Sequence, residues 1–519
     1  SRGRQQVKEL LILGPPGCGK TYNLLQRVED ALDAGVSSDQ IGFMSFTRKA
    51  VLEAIDRACD KFGFQEKQLP YFRTLHSLAF RELGVKTEDI LRKHDWEKIG
   101  SDLGLEFNSN DMTSPDDGVL IPMIGGSGGK YAQMIDRAKY RLVTLEQEYN
   151  ESEDYDLSFS KLKQISGTLE NYKMTYGKFG FVDLIEQYLS LDPPHLKLLI
   201  IDEAQDLTPL QWAMVEKLKE NTDEIVYAGD DDQAIHRWTG VDVKQFMESC
   251  SFKTVLSQSY RLPKSILKVA NSISARITHR VPKEFKPREG DEGKVVHHMG
   301  LETVPLHEGS WTLMFRTNAL LSHFAKRLQD QGHLINVKGK WSVTEDQVET
   351  ILAWRDLQAG KSLTLFQVKK LYAQVPKLGD HKVVKRGASS LLDAADPEEC
   401  FTYKKLVESY NMIAPLERDA FEVAKLGYHQ QIHVRSAERN GHDLSKPPRI
   451  KLSTFHAMKG GEDDNCLVYL GSSRACVESA YRDFNKADDE HRAFYVGVSR
   501  AKKELHILDA GTQVYKYEL

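Results

Sequence analysis

An apolar run, Leu10-Leu-Ile-Leu13, passes without a linker into Gly14-Pro-Pro-Gly-Cys-Gly-Lys-Thr21, and the stretch from Tyr22 to Ala34 then carries Leu and Val at turn spacing. A strand that ends in a glycine-rich loop and reopens as a helix is the start of a parallel α/β unit, because parallel strands need a crossover of this kind to return the chain. The pattern G-x-x-x-x-G-K-[ST] is complete in Gly14, Gly19, Lys20 and Thr21. In such a loop the backbone N–H groups face phosphate oxygens, the lysine neutralises the outer phosphates and the hydroxyl ligates Mg²⁺. The expected phosphate-binding set is Gly14, Pro15, Pro16, Gly17, Cys18, Gly19, Lys20 and Thr21, with Thr21 as a metal ligand. Gly125 to Lys130 is the contrasting case: Pro122 breaks the run before it and no Ser or Thr follows its lysine, so it reads as a flexible loop.

Further apolar segments ending in polar residues recur at Ile41 to Phe46, Leu196 to Ile201 and Glu224 to Ala228. Leu198-Leu-Ile-Ile-Asp-Glu-Ala-Gln-Asp206 ends in adjacent acids. At a strand's end, Asp202 is placed to hold Mg²⁺ through water, and Glu203 to orient and deprotonate an attacking water. Ala228-Gly-Asp-Asp-Asp-Gln-Ala-Ile-His-Arg-Trp-Thr-Gly240 follows another apolar strand. Gln233 is the candidate sensor of a γ-phosphate, since a neutral amide bonds both phosphate oxygen and water. Trp238, set in a polar loop beside Arg237 and Thr239, is a candidate for stacking on a base.

The chain's 519 residues, 40% of them apolar, suffice for three to four domains at about 150 residues each. Between Phe80 and about Tyr176 the sequence turns charged and helical, and a second α/β pattern begins after Tyr260, with Trp311 to Phe315, Ile450 to Ser453 and Cys466 to Leu470 as strands. It is interrupted in turn from about 346 to 448. Net charge is −5, so a nucleic-acid site has to be a local groove and not a general basic coat. The apolar runs are far short of a membrane span, and the six cysteines show no C-x-x-C spacing, which points to reduced thiols and a cytosolic protein.

The ordered motifs resemble those of the UvrD/Rep/PcrA-type helicases of superfamily 1. Besides the two nucleotide motifs they include Phe46-Thr-Arg-Lys-Ala50, Thr74-Leu-His-Ser77, Gly229 to Gly240, Gln258-Ser-Tyr-Arg261, Phe315-Arg-Thr-Asn318, Thr454 to Glu462 and Tyr495 to Lys502, covering nearly the whole chain. The resemblance implies an α/β fold of two RecA-like P-loop domains with parallel sheets, each interrupted by a mostly helical insert. The expected division is 1–79 with 177–260 as the first domain, 80–176 as its insert, 261–345 with 449–519 as the second domain, and 346–448 as the smaller second insert. It implies ATP and Mg²⁺ as cofactors, with Lys20, Asp202, Glu203, Gln233, Arg261 and Arg500 catalytic. Tyr260 is implied to stack on adenine, Arg261 and Arg500 to reach across a cleft to the γ-phosphate, and Glu462 to contact ribose. The DNA-facing residues by the same resemblance are Phe46, Arg48, His76, His236, Trp238, Arg316, Asn318, Thr454 and His456.

Several positions depart from the family pattern. Only 13 residues precede Gly14, where a glutamine motif that reads adenine is usual, with Gln5 or Gln6 as substitutes. Ala234, His236 and Thr239 stand for the usual Ser, Tyr and Arg, and Gly461 and Ser499 for Leu and Thr. The second insert is short, which raises the question of whether a strand-separating hairpin survives in it. Cys18 in the loop predicts inhibition by thiol alkylation. The expected activity is ATP-driven 3′-to-5′ movement on single-stranded DNA with duplex unwinding at single-strand/duplex junctions, in the bacterial nucleoid or the cytosol of a virus-infected cell, with a loading partner unidentified. The competing expectations are a translocase that strips bound proteins without efficient unwinding, and a DNA-binding module with a dead nucleotide site.

Overall fold

The computed structural model describes residues 7–45, 48–108, 124–152, 156–236, 240–379, 381–512 and 515–519. Six strands form the first sheet: β1 (Lys8–Leu13), β2 (Ile41–Ser45), β3 (Phe72–Arg73), β4 (Leu196–Asp202), β5 (Thr222–Gly229) and β6 (Lys253–Val255), in the order β3-β2-β4-β5-β1-β6. All its pairings are parallel. Alternate residues go to opposite faces, and both faces are covered. Leu11, Leu13, Leu199, Ile201, Ile225 and Tyr227 pack into one core, and Ile12, Leu198, Ile200, Val226 and Ala228 into another. Burial on both sides is why the strands read as unbroken apolar runs and not as an alternation.

Seven strands form the second sheet: β7 (Lys294–His298), β8 (Trp311–Phe315), β9 (Ile335–Val337), β10 (Lys340–Trp341), β11 (Ile450–Thr454), β12 (Asp463–Tyr469) and β13 (Ala501–Leu508), in the order β10-β9-β11-β8-β12-β13-β7. Only the β9–β10 pairing is antiparallel among those of the named strands.

The chain divides into two compact units, residues 1–292 with 480–496, and residues 293–479 with 497–519. Residues 261–292, expected with the second half, thus group with the first, and so does most of the helix Phe484–Val498. Helices Lys93–Leu103, Gly129–Tyr140, Leu145–Glu151 and Phe159–Tyr176 lie between β3 and β4 in sequence and share a core of their own around Trp96, Ile99, Ile135, Ile165 and Leu169. Between β10 and β11, helices Glu345–Gln358, Leu365–Gln374, Tyr403–Ser409 and Tyr428–Arg439 enclose Trp354, Tyr372 and Phe401.

The Gly125–Lys130 stretch is a close-packed turn and not a flexible loop. Asn108 and Gly125 exchange both backbone hydrogen bonds at 2.9 Å. A Cβ on Gly128 would lie 2.4 Å from the Phe107 ring, and one on Gly129 would lie 2.0 Å from the Ile124 carbonyl oxygen. The glycines there serve close approach rather than slack.

Candidate functional site

Every strand of a parallel sheet points its carboxyl end the same way, so loops leaving those ends meet along one edge. In the first sheet that edge gathers the loop after β1, Asp202 at the end of β4 and the 230–233 turn after β5. The loop Gly14–Gly19 closes onto helix Lys20–Asp33, with Gly17 and Gly19 at φ 71° and 76°, a region that costs a side-chain-bearing residue about 1 kcal/mol or more. Space alone also demands glycine at position 17, since a Cβ there would lie 2.2 Å from the Cβ of Arg261.

Segment 258–261 is bonded directly to this loop. The Ser259 hydroxyl donates to the Pro16 carbonyl at 3.0 Å, and the Tyr260 N–H donates to the Gly17 carbonyl at 2.8 Å. Arg261 therefore has its backbone against the phosphate loop within the same unit, which corrects the expectation that it comes from the second half. The Tyr260 ring is 68% exposed and passes close to Gly19. Tyr22, 62% exposed, flanks the same glycine and carries the Arg57 guanidinium 5.1 Å above its ring. Tyr22 went unnoticed in the sequence because a residue one place beyond the motif looks like an ordinary helical position.

Lys20 donates to the carbonyls of Gly14 at 2.9 Å and Pro15 at 3.3 Å. Burial works to lower its pKa, and the neighbouring acids Asp230, Glu203 and Asp202 counter that, leaving the pKa raised, so the ammonium stays charged. The Cys18 thiol is 5% exposed and packs near Gly14. Burial pushes its pKa up despite Lys20, and a shielded thiol with little thiolate is a poor target for alkylation, contrary to the sequence expectation.

Asp202 is 2% exposed, and burial together with Glu203 raises its carboxyl to about 7 against the pull of Lys20. A buried carboxyl beside a second acid suits a bound cation, and Asp202 at the end of β4 is such a group. Glu203 has φ 53° and ψ 37°, left-handed for a residue that has no glycine freedom. The Asp202 carboxylate accepts from the Glu203 N–H at 2.9 Å.

Gln205, not singled out from sequence, ties these parts together. Its side-chain amide donates to Glu203, and its carbonyl oxygen accepts from the Asp230 N–H at 3.1 Å. Gly229 leaves room for it, as a Cβ there would lie 2.2 Å from that oxygen. Gln233 is 7% exposed and its amide donates to Asp230 at 2.8 Å. The first unit thus brings together Lys20, Thr21, Asp202, Glu203, Gln233, Tyr260 and Arg261.

Glu462 and Arg500 belong to the second unit. Arg500 is 1% exposed, donating to the Gly461 carbonyl at 3.3 Å and to the Ser499 hydroxyl at 3.1 Å. Glu462 is exposed and lies 3.6 Å from the Lys502 ammonium.

Of the DNA-facing set, Phe46 and Trp238 lie outside the described residues. Arg48 is exposed at the start of helix Arg48–Phe62, and His236 is half-buried. His76 is 6% exposed, bonded through Nε2 to the Tyr140 hydroxyl at 2.9 Å and packed edge-on against Phe181. Burial lowers its pKa to about 4, and a neutral ring inside the core is a packing element and not a surface contact. In the second sheet Thr454 pairs in register with Phe315, so Arg316 and Asn318 leave the same carboxyl edge as His456. Arg316 and His456 are half-buried and Asn318 is exposed. Thr454 is 6% exposed, its hydroxyl accepting from the Ala457 N–H at 3.3 Å, so that its side chain caps the turn.

Among described residues no helix is long and apolar enough to cross a membrane. Residues 4–251 match the UvrD/REP helicase N-terminal domain, and residues 347–510 match the UvrD-like helicase C-terminal domain. The chain is 22% identical to the ATP-dependent DNA helicase PcrA of Bacillus subtilis (strain 168), over 96% of this chain and 80% of that one. It is 27% identical to PcrA of Staphylococcus epidermidis over 53% of this chain and 39% of that one. It is 23% identical to the ATP-dependent DNA helicase Rep of Buchnera aphidicola over 60% of this chain and 49% of that one. With both family domains matched in order and the family's nucleotide motifs assembled along one sheet edge, the chain belongs to the UvrD/Rep/PcrA-type helicases of superfamily 1.

Proposed function

We propose that this protein is an ATP-dependent DNA helicase that moves 3′ to 5′ on single-stranded DNA and unwinds duplex at single-strand/duplex junctions. The observation that carries the reading is the joined set at the edge of the first sheet: phosphate loop, Asp202–Glu203 pair and Gln233 turn, linked through Gln205 and Asp230. Glu203 acts as base toward the attacking water, Gln233 orients water and γ-phosphate, and Lys20 with Arg261 and Arg500 neutralises the phosphates. Thr21 and Asp202 would hold Mg²⁺, which when bound would neutralise charge that develops on the phosphate oxygens. Tyr260 offers an exposed ring beside the loop for adenine. Phe46, Arg48, His236, Trp238, Arg316, Asn318 and His456 grip the strand by stacking and backbone contacts, a mode indifferent to sequence.

A second reading, a translocase that displaces bound proteins without efficient unwinding, draws on the second insert. Among the described residues of 346–448 there are helices and isolated bridges but no strand to build a separating hairpin. Steady-state ATP hydrolysis with and without single-stranded DNA, run beside duplexes carrying a 3′ or a 5′ tail, tests both. Stimulation with unwinding from the 3′ tail alone supports the helicase, stimulation without unwinding supports the translocase, and absence of stimulation overturns both.

A further inference from the structure

The turn that carries Gln233 begins with three acids whose side chains are wholly buried. Carboxylate oxygens of Asp230, Asp231 and Asp232 lie within 4.8 Å of one another, an arrangement that needs a cation. The protein supplies one. The Lys283 side chain, also fully buried, lies 3.3 Å from Asp230, 3.3 Å from Asp232 and in direct contact with Asp231. Arg280 forks onto Asp232 at 2.9 and 2.6 Å, and the Val281 N–H donates to Asp231 at 2.7 Å.

The segment bearing Lys283 is itself fastened. Asp488 accepts from the N–H groups of Thr278 at 2.7 Å and His279 at 3.0 Å. Arg492, on the same helix, donates to the Asp231 carbonyl at 3.0 Å and to the His279 carbonyl at 2.6 Å. All these residues lie in the first unit. The cation is therefore delivered from a fixed point and not by a swinging surface side chain.

What Lys283 controls follows from amide chemistry. A glutamine amide has a donor side and an acceptor side, and only a partner of fixed character decides which way it faces. Ionised Asp230 accepts only, and it takes the Gln233 amide N–H at 2.8 Å. Protonated, it could donate or accept, and would not select. Burial favours the protonated form, and Lys283, followed by Lys20, outweighs burial and holds the Asp230 carboxyl below its ordinary range.

We propose that Lys283 is a positioning residue for hydrolysis: as the resident cation of the 230–232 acids it keeps Asp230 an obligate acceptor, which fixes the orientation of the Gln233 amide toward water and γ-phosphate. This rests on the ATPase reading above. It deepens that reading by assigning a role to a residue about 50 positions from the turn it serves.

The test is a double-mutant cycle of Lys283→Met and Gln233→Ala in the full chain, reading kcat and KM for ATP with single-stranded DNA, with thermal unfolding of each variant. Lys283→Met is expected to lower kcat about tenfold or more while KM stays within about threefold, and in the Gln233→Ala background to lower kcat by less than about twofold. An equal loss of kcat in both backgrounds, or a change confined to KM, overturns the proposal. If Lys283→Met alone does not melt cooperatively, the charge-balanced pair Lys283→Met with Asp231→Asn takes its place in the cycle, with the same expectations. Absence of hydrolysis by the unsubstituted chain overturns the ATPase reading together with the inference built on it. Hydrolysis by that chain without coupling in the cycle overturns the inference alone.

Discussion

The two sheets share a scaffold and differ in what leaves their carboxyl edges. At the first, β1 opens into a glycine loop, β4 ends in Asp202 and Glu203, and the turn after β5 buries three acids with a lysine among them. At the second, β8 runs into half-buried Arg316 and Thr317 and exposed Asn318, and β11 runs through buried Thr454 and Phe455 to half-buried His456, with no glycine cradle at these two ends. Parallel strands supply the same platform twice. Buried, preorganised charge at one edge suits bond-breaking, and accessible polar side chains at the other suit holding a polyanion. The proposed division of labour comes from the loops and not from the fold.

If that division holds, substitutions at the two edges move different observables. The largest effect is expected from Arg500→Ala, with kcat falling about 10³-fold or more, as for guanidinium groups that stabilise phosphoryl transfer. It also strains the comparison most, because Arg500 belongs to the second unit; a normal kcat would confine the chemistry to the first. Next is Glu203→Gln, expected to lower kcat by about 10²- to 10⁴-fold while nucleotide and DNA still bind in equilibrium titrations. Ordinary turnover by that variant would remove Glu203 from the role of base.

His76 provides a smaller effect that concerns stability and not grip. Its pKa is about 4 in the folded chain against an ordinary 6.5, so the unfolded chain takes up the proton first as pH falls. The stability of the neutral ring is present above pH 6.5 and is lost towards pH 4, about 3 kcal/mol in all. Thermal unfolding of the wild type should therefore fall more steeply over this window than that of His76→Gln, and matching slopes would contradict the burial. The smallest effect is that of Arg316→Ala, expected to weaken single-stranded DNA binding by about 1 kcal/mol and to reduce the salt dependence by about 0.7 in log–log slope. A titration series in salt with an unchanged slope would take Arg316 off the phosphate backbone.

Legibility in the sequence followed the same contrast. The buried strands β2, β4, β5, β8 and β11 stand out as apolar runs, whereas β3 has two residues, β6 three exposed ones, and β13 carries Lys502, Lys503 and Glu504 directly after its first residue. The phosphate loop and the Asp202–Glu203 pair were visible because their spacing is local. Gln205, Tyr22 and Lys283 were not, since each matters through a neighbour that only folding supplies. His76 and Thr454 erred in the other direction: motif position marked them for DNA, and tertiary packing put them inside. The split at 292/293 was equally invisible, because segment 261–292 follows directly on Ser259 and Tyr260, which bond to the phosphate loop, and is itself fastened to Asp488 and the acids of the 230–232 turn.

The left-handed backbone of Glu203 has a consequence for how this chain could evolve. A non-glycine residue there carries about 1–3 kcal/mol of strain, released by Glu203→Gly, which would also remove the carboxylate. Selection for heat resistance alone would push towards that glycine, and selection for turnover pushes back. The position is a point where robustness and activity trade against each other, and a thermostable variant library should be enriched there in inactive members.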